Sequence, residues 1–125
     1  MRVLLDSQVL VWWMGKPDQI SRETLQIITD PRNTVYISAA SVWELGIKAA
    51  KGNLTLPEKY LESLMNDGFA TLDVTMRHAQ VSADLPMIHS DPFDRMIIAQ
   101  ARSDDLVLIS ADRHIRRYNI KVIET

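Results

Sequence analysis

Three short runs of apolar and β-favouring residues recur along the chain: Val3 to Leu5, Thr34 to Ile37 and Leu106 to Ile109. Each gives way to a helical pattern. Runs this short, apolar without alternation, suit strands covered on both faces. Strands that alternate with helices pack as an α/β domain, with a central, mostly parallel β-sheet flanked by α-helices. In such sheets a site forms at the carboxyl ends of the strands.

The remaining elements follow from local chemistry. VLVWWM (Val9 to Met14) reads as a helix, and Ser21 with Glu23 and Thr24 starts another that runs through Ile28. Asp30-Pro31-Arg32-Asn33 is a turn. A helix is expected from Ser38 to Lys51, ended by Gly52-Asn53, and another from Pro57 to Asp67-Gly68. Phe69 to Val74 is a candidate strand. Thr75 is expected to cap a helix carrying Ala79, Val81 and Leu85, stopped by Pro86. Asp91-Pro92 opens a helix through FDRMIIAQARSDD, a short helix follows Asp112, and Lys121 to Ile123 closes as a strand.

The 125 residues are expected to form a single domain, 1–125. There is no cysteine, so neither a disulfide framework nor a thiolate zinc site. The apolar run at the N-terminus is broken at Asp6, and no stretch approaches the ~18 apolar residues of a membrane span. A cytoplasmic protein is the expectation. The net charge of -2 argues against simple electrostatic binding of nucleic acid. Phosphate can still be met through bound cations, which bring their own positive charge.

Four carboxylates fall where the sheet-edge rule looks for a site. Asp6 ends the first strand, Glu44 follows the second, Asp94 lies in the first turn of FDRMIIAQA, and Asp112 comes two residues after VLIS. Each has a structural reading as well. Ser41-x-x-Glu44 matches a capping box, Asp91-Pro92-Phe93-Asp94 looks like an ordinary helix start, and Asp112 fits a cap. Asp6 is hardest to dismiss, because a carboxylate directly after a buried strand needs a partner or a metal. Taken together the acids would repel one another unless cations neutralise them. An all-oxygen set selects Mg²⁺ or Mn²⁺. Such ions activate water and steady phosphate oxygens in an in-line displacement.

The runs LLDSQVLVWW, SAASVWELGIKAAKGNL, LPMIHSDPFDRMIIAQA and LVLISADRHIRRY, in this order, resemble the PIN-domain family and its VapC-type toxins. The resemblance spans nearly the whole chain, and DPFDRMIIAQA is its most specific part. It implies that Asp6, Glu44, Asp94 and Asp112 are metal-binding catalytic acids of an Mg²⁺- or Mn²⁺-dependent endoribonuclease. It further implies 5′-phosphate and 3′-hydroxyl products, homodimerisation, and inhibition by a cognate antitoxin lying across the site. Ser7 and Ser110 stand where relatives often have Thr, and are expected to hold a ligand or water. Gln8 stands where many relatives carry His. Asp91 is near enough to support the site, with a helix cap the favoured role. Arg95 is expected either to orient Asp94, to touch RNA, or to pair with an acid on the surface. The rival reading is a PIN-like interaction or RNA-binding module that no longer cleaves.

His78, His89 and His114 share no ligand spacing and are expected in surface or capping roles. Arg113, Arg116 and Arg117 form a basic cluster, read as a solvated face or a phosphate-positioning edge. Trp12 and Trp13, about 100° apart on a helix, cannot both face one core line. One is expected in the core and the other at an interface. Trp43 is expected in the core.

Overall fold

A computed structural model describes residues 1–125. Its strands are β1 (Arg2–Leu5), β2 (Thr34–Ser38), β3 (Ala70–Leu72), β4 (Val107–Ser110) and β5 (Val122–Glu124). They form one sheet in the order β3-β2-β1-β4-β5, and every pairing is parallel. The chain starts at the centre of the sheet, builds β2 and β3 on one side, and then crosses to build β4 and β5 on the other. The reversal falls between β1 and β4, where the ends of neighbouring strands splay and leave a crevice.

Both faces of the sheet are covered. Val3, Leu5, Val35, Ile37 and Ile109 point into one apolar cluster, while Leu4 and Leu108 point into the other. This is why the strands carry no polar alternation. The first cluster is closed by α1 (Ser7–Gly15), α2 (Arg22–Thr29) and α4 (Tyr60–Asn66), through Val9, Leu10, Ile28 and Leu64. The second is closed mainly by α6 (Pro92–Ser103), through Ile97, Ile98 and Ala101, with α5 (Met76–Asp84) packed against it. Helix α3 (Ala39–Ala50) serves both, with Leu45 in the first cluster and Ala40 in the second.

Caps set where the helices begin. Ser21 caps α2, and Thr75 with His78 makes a reciprocal capping box on α5. Ser38 caps α3: its hydroxyl accepts from the Ala40 amide and donates to Gln100 Oε1 at 2.6 Å. That buried bond ties the start of α3 to the middle of α6, the two helices that carry Glu44 and Asp94.

Several expectations need correction. Helix α4 begins at Tyr60, not Pro57, because Lys59 takes a left-handed conformation (φ 56°) just before it. Strand β3 is confined to Ala70–Leu72, and β4 and β5 lie one residue later than expected. Leu85 follows α5 rather than belonging to it, whereas the short helix expected after Asp112 does form, as the 3₁₀ turns Arg113–Tyr118. Ser41 is not a cap, so the Ser41–Glu44 capping box does not form. Trp43 is 67% exposed and lies edge-to-face on Phe93, because its turn of α3 faces away from the sheet. Trp12 and Trp13 are both half-buried against the first cluster. No helix is long and apolar enough to cross a membrane.

Candidate active site

Helices antiparallel to their strands bring their N-termini to the carboxyl edge of the sheet. Those of α1, α3 and α6 meet beside the ends of β1 and β4, and bound a cavity of about 360 Å³. Asp6, Glu44, Asp94 and Asp112 all line it, with Ser7, Gln8, Lys48 and Asp91. The four acids come from four separate regions of the chain, and the fold brings them together. Helix N-termini carry partial positive charge, which favours anions there.

Three of the four acids are held by specific donors, while the Asp94 carboxylate takes no hydrogen bond from the protein. Asp6 caps α1, its Oδ1 accepting from the Val9 amide at 2.9 Å, while the Ser110 hydroxyl donates to Oδ2. Ser110 is fully buried and its oxygen also accepts from the Asp112 amide at 3.0 Å. One hydroxyl thus ties the acid after β1 to the acid after β4. Ser7 does the same between α1 and α3, donating to Glu44 Oε1 at 2.6 Å. Glu44 is 6% exposed, and its Oε2 meets Lys48 Nζ at 2.9 Å. Asp112 Oδ1 accepts from the His114 amide at 2.8 Å, and Oδ2 lies 2.6 Å from His89 Nε2. Capping and facing the cavity are therefore compatible, because each cap uses one carboxylate oxygen.

Burial first, and charge crowding second, raise the proton affinities of Asp6 and Asp94. Burial pushes the Asp6 carboxyl above its ordinary value and Asp112 adds to this, against hydrogen bonds from Ser110, Val9 and Ala111. Asp94 is pushed up to about 6, by burial first and then by Asp91, Glu44 and Asp112, with His89 working the other way. Asp112 moves down: burial works upward, but the His89 hydrogen bond and the His114 amide outweigh it.

Asp91 caps α6, its Oδ1 accepting from the Phe93 amide at 2.8 Å and the Asp94 amide at 3.3 Å, while it also borders the cavity. Arg95 takes none of its three expected roles. It is 8% exposed, and its guanidinium donates to the carbonyls of Ser82, Leu85, Pro86 and His89. A planar five-donor fork suits that cluster of carbonyls, so Arg95 neither reaches solvent nor pairs with an acid. Its task is to pin the loop between α5 and α6. In the basic cluster, Arg113, Arg116 and Arg117 are all exposed, and Arg116 pairs with Glu124.

Two residues at the site were missed by the sequence reading. Lys48 was legible, since Glu44 and Lys48 stand at i,i+4 on one helix. His89 was not: its bond to Asp112 crosses 23 positions and exists only because Arg95 folds its loop inward. Its imidazole joins Asp94 and Asp112 in a group whose potential ligand atoms lie within 4.8 Å of one another.

An all-parallel sheet with an acid-lined cavity at its switch point is consistent with a PIN-type α/β domain, and the chain belongs to the PIN-domain family, whose profile matches residues 3–121. Among curated proteins it is similar to Ribonuclease VapC22 of Mycobacterium tuberculosis, at 30% identity over 119 residues, 93% of this chain and 91% of that one. Solved structures agree in fold. The DNA-bound VapBC of Salmonella typhimurium has a TM-score of 0.75 at 19% identity, covering 99% of this chain and 98% of that chain. VapBC2 of Rickettsia felis, bound to a promoter DNA fragment, has a TM-score of 0.73 at 15% identity with the same coverage.

Proposed function

We propose that this chain is a divalent-cation-dependent endoribonuclease, the toxin of a toxin–antitoxin pair, with Asp6, Glu44, Asp94 and Asp112 as its cation-binding acids. The observation that carries the reading is the composition of the cavity. Its lining brings five carboxylates, those four and Asp91, against the single side-chain cation of Lys48. The charges of such a set repel one another at neutral pH, and further positive charge relieves the repulsion. Its donors are carboxylate and hydroxyl oxygens, the chemistry that hard ions require, so the residues fit Mg²⁺ or Mn²⁺. A cation held there supplies positive charge for the phosphate oxygens and lowers the pKa of water.

The protein's own groups do the rest. Ser110 and Ser7 fix the carboxylates of Asp6 and Glu44, so little reorganisation is needed when substrate arrives. Lys48, 52% exposed, balances Glu44 and stands at the mouth, able to turn to a phosphate. The N-termini of α1, α3 and α6 add dipole charge where the scissile phosphate would lie. Arg113, Arg116 and Arg117 offer contacts to flanking phosphates. RNA is the substrate in this reading because a relative at 30% identity is a ribonuclease. An antitoxin is the partner because neighbours in fold are VapBC complexes. Homodimerisation, action in the cytoplasm and a single domain over 1–125 belong to the same reading.

A covalently closed RNA circle tests it. With Mg²⁺ the circle is expected to be opened, which only an endonuclease can do, and to stay intact in EDTA. A circle untouched under both conditions, by protein freed of any antitoxin, would leave a non-cleaving interaction module as the answer.

A further inference from the structure

His89 stands against the acidic cavity without belonging to the acid set. Its backbone amide donates to the Tyr118 hydroxyl at 2.7 Å, and that hydroxyl lies 2.8 Å from its own Nδ1. Its Nε2 lies 2.6 Å from Asp112 Oδ2. An ionised Asp112 carboxylate can only accept, so a neutral imidazole carries its proton on Nε2, and Nδ1 is left to accept from the Tyr118 hydroxyl. Tyr118 is 1% exposed, and Arg102 donates to its carbonyl at 2.8 Å. Arg95 donates to the His89 carbonyl. The imidazole is therefore fixed in place from behind.

We propose that His89 is a positioning residue: its Nε2–H holds Asp112 Oδ2 so that the carboxylate faces the cavity as a cation ligand, and Tyr118 sets the imidazole for that task. The proposal rests on the reading of Asp112 as a cation ligand. The geometry also offers a rival, in which the imidazole joins Asp94 and Asp112 as a direct ligand. The bond to Asp112 speaks against it, since a proton on Nε2 occupies the lone pair that a metal would need. Hydrogen bonds behind a ligand matter: losing one costs about 10–100-fold in metal affinity.

The test is Mn²⁺ binding by calorimetry for wild type, His89→Ala and His89→Gln, with melting in EDTA as the control for folding. The expected result is binding by wild type, a loss of about 10–100-fold in His89→Ala, and recovery of most of it in His89→Gln, whose amide can still donate to Asp112. Should His89→Ala fail to fold, Tyr118→Phe carries the same test, with a smaller loss expected. Spin-echo spectra of Mn²⁺-loaded wild type are expected to lack coupling to an imidazole nitrogen. Equal binding by wild type and a folded His89→Ala, or no rescue by Gln, overturns the proposal and leaves the acid site standing. Directly bound imidazole nitrogen also overturns it, and makes His89 a ligand. Absence of Mn²⁺ binding by wild type overturns the acid site itself, and the proposal with it.

Discussion

Asp94→Asn is expected to lose about 10²–10³-fold in RNA cleavage with Mg²⁺, the scale of removing one preorganised electrostatic group, while its fold grows more stable without metal. Asparagine keeps the shape and removes the charge. The carboxyl titrates at about 6 in the folded protein against 3.8 in the reference state. A raised carboxyl pKa means that the native state binds the proton more tightly. The stability this gives is complete below pH about 3.8 and is lost as the pH rises through about 6. Above that, the ionised group opposes folding, by about 1 kcal/mol once its partial exposure is allowed for. In EDTA at pH 7.5 the variant should therefore melt higher than wild type, and the gap should close towards pH 4. Asp6→Asn is expected to lose activity comparably, since Asn can still cap α1. Full activity in both variants would remove these acids from the reaction.

Arg95→Met is expected to be the most destabilising single change near the site, at about 3–5 kcal/mol, because hydrogen bonds from a charged donor are lost and buried carbonyls are left unsatisfied, each worth ~1–3 kcal/mol. The carbonyls of Leu85 and His89 lose their donor, those of Ser82 and Pro86 keep only the Leu85 and Ile88 amides, and the segment from the end of α5 to His89 loses its anchor. Thermal unfolding in EDTA reads the effect without involving activity. Arg95→Lys should recover only a small part, since one ammonium cannot span the carbonyls that the guanidinium fork reaches. A melting temperature within a degree or two of wild type for Arg95→Met would show that the loop stands without it.

Much of the fold was written in local patterns. The apolar strands, the caps at Ser21 and Thr75, and the Asp91-Pro92 helix start act through neighbours a few residues away, and a sequence displays neighbours directly. The convergence of Asp6, Glu44, Asp94 and Asp112 was also legible, because a parallel sheet dictates which edge its strand ends share. Illegible features depend on distant contacts. Trp43 has the composition of a core residue, and only the orientation of α3 shows that its face has no cover. Arg95 was read against Asp94, RNA or a surface acid because the carbonyls it binds lie 6 to 13 positions earlier, from the last turn of α5 into the loop after it. His89 was read as a bystander for the same reason, with its partners 23 and 29 positions away. The capping-box reading at Ser41 failed because Ser38 starts the helix a turn earlier, leaving Glu44 free to face Ser7 and Lys48.

The most direct test of the central claim is the chemistry of the ends that the protein leaves on RNA. If Asp6, Glu44, Asp94 and Asp112 hold a cation that serves hydrolysis, water would displace the 3′-oxygen and the products would carry a 5′-phosphate and a 3′-hydroxyl. Digestion of a single-stranded RNA with Mg²⁺ or Mn²⁺, followed by end analysis, is expected to give those ends, and no cleavage in EDTA. Fragments with 2′,3′-cyclic phosphates, or cleavage that persists in EDTA, would mean attack by the RNA's own 2′-hydroxyl and would contradict a cation-centred reaction at these acids.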